Sequence, residues 1–160
     1  MKKVFTLICL SFSLLLTKAQ VRIGSPAPEI ALPDTKDSVV KLSNLKGQVV
    51  IVDFWASWCG PCRAANPHMV ALYNKFKDKG LVILGVSIDD KPKAWKAAIK
   101  KDKLPYLQVI DPDGWSATSA AKYGVEAIPA TFLIDQNGLI AAIDEELPVL
   151  EKKVAQLLKL

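Results

Sequence analysis

The stretch Val52-Asp53-Phe54-Trp55-Ala56-Ser57-Trp58-Cys59-Gly60-Pro61-Cys62 constrains this 160-residue chain more than any other, because an apolar run ends there in two cysteines separated by a Gly-Pro pair. An apolar run bounded by turn residues predicts a core strand, Gln48 to Phe54, and the spacing from Cys62 to Lys79 predicts a helix. Cys59 then falls where strand gives way to helix N-terminus. First-turn N–H groups are unpaired and the helix dipole is positive at that end, so an ionised sulfur is favoured and the thiol pKa drops below its ordinary ~8.5. Cys59 is the expected nucleophile. Cys62, one turn into the helix, comes within bonding distance and can attack a mixed disulfide at Cys59, releasing the reduced substrate. Pro61 fits the first turn, where a missing N–H costs little. The pattern is that of a dithiol redox site. A zinc site would need about four ligands, and beyond this pair the chain offers Cys9 in its N-terminal segment and one histidine. A purely structural disulfide closing so short a loop would remove little chain entropy.

Asp53 to Cys62 together with Pro67 resembles the active site of thioredoxin, and the flanking segments resemble its secreted TlpA/ResA-like branch over most of the chain. The resemblance implies an α/β thioredoxin fold, a central mixed β-sheet flanked by helices, with an N-terminal β-hairpin and a central insertion. It also implies that the first cysteine attacks, the second resolves, and a buried acid under the site serves the second as proton donor and acceptor. Asp53 occupies that acid's position. A lone carboxylate in an apolar strand has its charged form disfavoured by desolvation, which raises its pKa toward the range useful for acid–base work. The alternative for Asp53 is a strand-end residue hydrogen-bonded to backbone. Many TlpA/ResA-like proteins carry a glutamate three residues after the second cysteine, where this chain has Ala65. Asp53 is then the proton-handling acid, and the departure argues against specialised cytochrome maturation.

Ahead of this core, Met1 to Ala19 has Lys2 and Lys3, an apolar run from Val4 to Leu16, and small residues near Ala19. This reads as a signal peptide cleaved near Ala19-Gln20, leaving residues 20–160 as one thioredoxin-like domain. The run falls short of the ~20 apolar residues of a membrane span, and an uncleaved N-terminal anchor facing the periplasm is the alternative. Ile8 suits poorly the position before a lipidated cysteine, so Cys9 is read as discarded with the signal. The segment carries Lys2, Lys3 and Lys18 and no acid, so its removal takes the formal charge from +5 to +2. Nothing in that balance argues for nucleic acid or an anionic membrane surface. Cys59 and Cys62 remain as the only cysteines, which suits an oxidising compartment.

Ile30 and Leu32, a turn over Pro33 to Asp37, and a strand from Val39 to Leu42 predict the β-hairpin. Beyond Cys62, Met69, Leu72, Tyr73 and Phe76 make one apolar helix face, which Pro67 is expected to kink. His68 reads as a solvated helix residue beyond that kink, the alternative being a redox-tuning imidazole. Leu81 to Ile88 suits a parallel strand buried on both faces, and Asp89-Asp90-Lys91-Pro92 opens a helix with Trp95, Ala98 and Ile99 inward and a lysine stripe outward. Leu104 to Ile110 reads as a strand and Ser116 to Tyr123 as a short helix, the section that resembles the branch's central insertion. Ala130 to Ile134, a turn at Asp135 to Gly138, Leu139 to Ile143, and a helix led by Pro148 and carrying Val149, Leu150, Val154, Leu157 and Leu158 complete the chain.

The register after Tyr123-Gly124-Val125 matches the thioredoxin loop in which the Ile-Pro bond is cis and lies against the cysteine pair. The resemblance therefore implies a cis Ile128-Pro129 bond and an exposed backbone able to pair with an extended substrate peptide. Trp58, the Cys59 end, Gly60, Pro61, Ile128 and Pro129 are the expected substrate groove. The expected activity is periplasmic thiol-disulfide exchange without cofactor or metal, on protein thiols and disulfides, in the direction of reduction. Electrons would come from a membrane thiol relay. A disulfide donor or isomerase is the alternative. A peroxiredoxin would carry a proline seven residues and a Thr or Ser three residues before its reactive cysteine, where this chain has Val52 and Ala56. A redox-switched adaptor fits poorly with an intact cysteine pair above Asp53. The oligomeric state is not legible.

Overall fold

The computed structural model describes residues 21–160. The expected signal segment, its cleavage point and Cys9 lie outside them. Among the described residues no helix is long and apolar enough to cross a membrane.

Strands β1 (Ala31–Pro33) and β2 (Val39–Lys41) form the antiparallel hairpin, and Leu42–Leu45 follows as a 3-10 turn. Asp34 holds the hairpin's own turn between β1 and β2, because its carboxylate accepts from Lys36 N and Ser38 N at 2.7 and 2.9 Å. The main sheet contains β3 (Val49–Trp55), β4 (Leu81–Ser87), β5 (Leu107–Ile110), β6 (Ala130–Ile134) and β7 (Ile140–Ile143) in the order β5-β4-β3-β6-β7. The β3, β4 and β5 strands run parallel, while β6 pairs antiparallel with both β3 and β7. Every residue of β3 is buried, as befits the middle strand of a sheet covered on both faces. The fold is thus the mixed sheet flanked by helices that the sequence resemblance implies, with the hairpin as a separate small sheet.

Helix α1 (Gly60–Phe76) lies over one face, with α2 (Pro92–Asp102) tied beside it and α4 (Leu147–Leu157) farther along. Met69, Leu72 and Phe76 are buried from α1 and Tyr73 is half-buried, so the apolar spacing marks its inner face. The helix is continuous through Pro67 and shorter than the sequence reading: Lys77–Lys79 is 3-10, and Gly80, at φ 101°, closes it in a left-handed conformation that glycine adopts freely. The opposite face is closed by α3 (Thr118–Tyr123), where Tyr123 stacks within 5.2 Å of Phe54 and 4.9 Å of Phe132. Tyr123 also donates its hydroxyl to the Pro28 carbonyl at 2.8 Å, clasping the entry segment to that face.

Three expectations shift. The strand expected from Leu104 begins only at Leu107, since Leu104 N still bonds back to Ile99 O and Pro105 has no N–H to give a ladder. The helix expected from Ser116 starts at Thr118, after a 3-10 turn over Gly114–Ser116. Val149 is exposed rather than packed on the sheet, because α4 turns its Leu150 and Val154 face inward and Val149 precedes that face.

Candidate active site

At the end of β3 the backbone leaves the sheet through Ala56-Ser57-Trp58 and enters α1 with Cys59 as the N-cap residue. Its sulfur accepts from Cys62 N at 3.1 Å and is bonded to the sulfur of Cys62. An unpaired first-turn amide is therefore aimed at the sulfur, the arrangement that favours a thiolate once the pair is reduced. Cys59 is 5% exposed and Cys62 1%, so the first sulfur is the more open of two buried ones. Gly60, Pro61 and Trp58 beside it are exposed.

The loop carrying Cys59 is held at Ser57 from two directions. Asp89 accepts Ser57 N at 2.8 Å and Ser57 Oγ at 2.5 Å, and also takes the Ser87 hydroxyl at 2.7 Å. Arg63 donates to Ser57 O at 3.0 Å from the first turn of α1 and pairs with Asp102, which also accepts from Asn66 Nδ2 at 2.7 Å. That pairing holds the Asp102 carboxyl below its usual range. The stretch Asp89-Asp90-Lys91-Pro92 opens α2 as expected, the helix beginning at Pro92, and Asp89 at its head is buried and turned toward the cysteine loop.

Across from α1, the Ile128-Pro129 bond is cis. Cys59 Sγ lies 3.8 Å from the Ile128 carbonyl oxygen, with Pro129 exposed and Ile128 half-buried. The loop and the cysteine pair therefore meet at one edge of the sheet. Trp115, in the 3-10 turn after β5, brings an exposed ring 6.1 Å from that of Trp58. Both indoles are more than half exposed, which leaves an aromatic surface beside the Cys59 end. Sequence reasoning missed Trp115, whose only signal was an aromatic residue in a turn.

Below the pair, Asp53 is 4% exposed, and its burial pushes the carboxyl up to about 7. A cavity of about 210 Å³ opens onto it between Ala65 and Met69 of α1, Pro129, Thr131 and Glu145. Ala65 thus borders the Asp53 cavity with a side chain that cannot handle protons. His68 is exposed, on a part of α1 that faces solvent.

A five-stranded mixed sheet that sets a bonded Cys-Gly-Pro-Cys pair against a cis X-Pro loop and over a buried acid defines a class, the thioredoxin-fold dithiol proteins. Within that class, residues 23–143 match the AhpC/TSA family, and the chain belongs to it. A thiol-disulfide oxidoreductase, ResA, from Bacillus cereus is 33% identical over 123 residues, 77% of this chain and 69% of that protein. Among solved structures, a thiol-disulfide oxidoreductase from Bacteroides fragilis superposes with a TM-score of 0.79 at 34% identity, covering 83% of this chain and 99% of that one. A thiol:disulfide interchange protein from a Bacteroides species does so with a TM-score of 0.78 at 35% identity, covering 87% and 91%. The protein is a thiol-disulfide oxidoreductase of thioredoxin-like fold.

Proposed function

We propose that this chain is a periplasmic thiol-disulfide oxidoreductase that reduces disulfides in exported proteins. In the reduced form, the Cys59 thiolate attacks one sulfur of a substrate disulfide, forming a mixed disulfide and releasing the first substrate thiolate. Asp53 accepts the Cys62 proton, and Cys62 attacks Cys59 Sγ, forming the Cys59–Cys62 disulfide and releasing the second substrate thiolate, which takes up a proton. Two electrons pass from the protein to the substrate. The observation that carries this reading is the sulfur of Cys59, capping α1 with the Cys62 amide and facing the Ile128 carbonyl above a buried acid whose pKa is near neutrality. Trp58, Gly60, Pro61, Ile128 and Pro129 border the place where an extended segment would lie, and the Ile128-Pro129 backbone would pair with it.

Export is supported by the signal-like Met1 to Ala19 and by a remaining cysteine complement of Cys59 and Cys62 alone. On this reading 1–19 is removed and 20–160 is the working domain, and an uncleaved anchor would place the same domain in the same compartment. Reduction is favoured by Gly60-Pro61 and Ile128, the thioredoxin residues at these positions. A reductase outside the cytosol needs electrons, so a membrane thiol relay is the implied donor.

The test is the equilibrium potential of Cys59–Cys62 against a glutathione or dithiothreitol series, with insulin reduction followed alongside. A value near ~−270 mV with active insulin reduction supports a reductase; one near ~−120 mV makes the chain a disulfide donor.

A further inference from the structure

The pairing register sets four residues in one row across the sheet beneath α1: Thr131 on β6, Asp53 on β3, Gly85 on β4 and Gln108 on β5. Paired positions of adjacent strands point to the same face, so Asp53 and Gln108 flank Gly85 from either side, each one strand spacing of ~4.8 Å away. Gly85 has no side chain, and the Gln108 carboxamide fills the gap. A Cβ on Gly85 would meet Gln108 Oε1 at 2.5 Å and Nε2 at 2.6 Å. The amide therefore reaches over β4 toward β3.

Its orientation is set by Trp55, two residues past Asp53 on the same face. Trp55 Nε1 donates to Gln108 Oε1 at 3.0 Å, and an indole N–H can only donate, so the oxygen must be the atom facing it. Gln108 Nε2 is left as a buried donor with no partner among the described residues, in a residue only 5% exposed. A buried orphan donor is destabilising, and such groups are ordinarily completed by a buried water with two or more polar partners.

We propose that Gln108 is a positioning residue for Asp53: across the gap at Gly85, its Nε2 donates through one buried water to the Asp53 carboxylate. Donation to the charged form opposes the effect of burial and holds the Asp53 proton affinity below what burial alone would set. Other titratable groups approach Asp53 from neighbouring elements. Tyr106, leading into β5, has a buried hydroxyl without a partner among the described residues, and its pKa is raised by burial and then by the Asp53 charge. Asp144 and Glu145, between β7 and α4, border the Asp53 cavity, with Glu145 bonded to Lys153. From α1 come Cys59 and Cys62, which do not titrate while bonded to each other.

The proposal rests on Asp53 as the proton-handling acid only for its effect on exchange, since the Gln108 contact is read separately by titration. In the oxidised protein, 13C-labelled aspartate carboxyls are followed against pH, and Asp53 is assigned by its loss in Asp53→Asn. Two variants break the contact differently. Gln108→Met removes the amide, and Gly85→Ala keeps every hydrogen-bonding group but displaces it, so the second carries the test if the first fails to fold. We expect the Asp53 midpoint to rise by roughly one pH unit in both. A fall in melting temperature with the Asp53 midpoint unmoved overturns the proposal, because that is the result of packing alone. The pH dependence of insulin reduction then separates the two readings: midpoint and rate profile rising together support both, whereas a moved midpoint with an unmoved profile supports the Gln108 contact and overturns Asp53 as the acid of the exchange.

Discussion

Asp89 accepts both the backbone amide and the hydroxyl of Ser57, at 2.8 and 2.5 Å, across 32 residues of sequence. The contact joins the end of β4 to the loop that presents Trp58 and Cys59. Asp89 is 1% exposed and also takes the Ser87 hydroxyl, so three donors converge on one buried carboxylate. Replacing it with alanine leaves them without their acceptor. We expect Asp89→Ala to lose about 3 kcal/mol of stability in denaturant unfolding, with insulin reduction slowed several-fold by the loosened loop. Asp89→Asn, which keeps an acceptor, should lose less of both.

Asp53 makes the oxidised protein less stable as the pH rises. Its folded pKa, about 7, lies above the unfolded value near 3.8. Between these values the native state holds a proton that the unfolded state has released, so stability is full below the unfolded pKa and is lost as pH rises through the folded one. Asp53→Asn removes the dependence. The variant should gain on the wild type steadily from about pH 4 to pH 7 and by an amount on the order of 4 kcal/mol at pH 8, as measured by urea unfolding at several pH values. Its insulin reduction should fall below the wild type's from about pH 7 upward, where the wild-type Asp53 is ionised and the variant has no carboxylate to accept the Cys62 proton.

The expectation for Trp115 concerns substrate size. Its ring faces solvent beside Trp58, 6.1 Å away between centroids. Trp115→Ala should raise KM for a protein disulfide roughly 3- to 10-fold, the value of one aromatic contact, and leave kcat unchanged. Reduction of a small linear disulfide such as oxidised glutathione should be unaffected. An equal loss on both substrates would assign Trp115 to the loop's structure instead.

What could be read in the chain before its structure was whatever is encoded locally. The strand into Cys59, the helix after it, the hairpin and the strand Ala130–Ile134 all follow from spacing and turn residues a few positions apart. The cis Ile128-Pro129 bond was legible only through resemblance, since nothing in a single X-Pro pair distinguishes cis from trans. Asp-Asp-Lys-Pro is a fair helix-start signal and α2 begins at its proline, but the bond from Asp89 to Ser57, a residue of another loop, has no local signal. Gln108 sits in a run whose alternation suggests nothing unusual. Its place beside Asp53 appears only when β3, β4 and β5 are laid in register and Gly85 is found between them. Strand register across a parallel sheet is set by long-range packing, and no local pattern records it.

In the proposed exchange Cys59 is the attacking sulfur and Cys62 the resolving one. Cys62→Ser, reduced and mixed with oxidised insulin, should accumulate a mixed disulfide at Cys59 visible by intact mass. Cys59→Ser, under the same conditions, should give little or none, its remaining sulfur being buried one turn into α1. Comparable adducts on the two variants would contradict the assignment, and an adduct through Cys62 alone would reverse the roles of the pair.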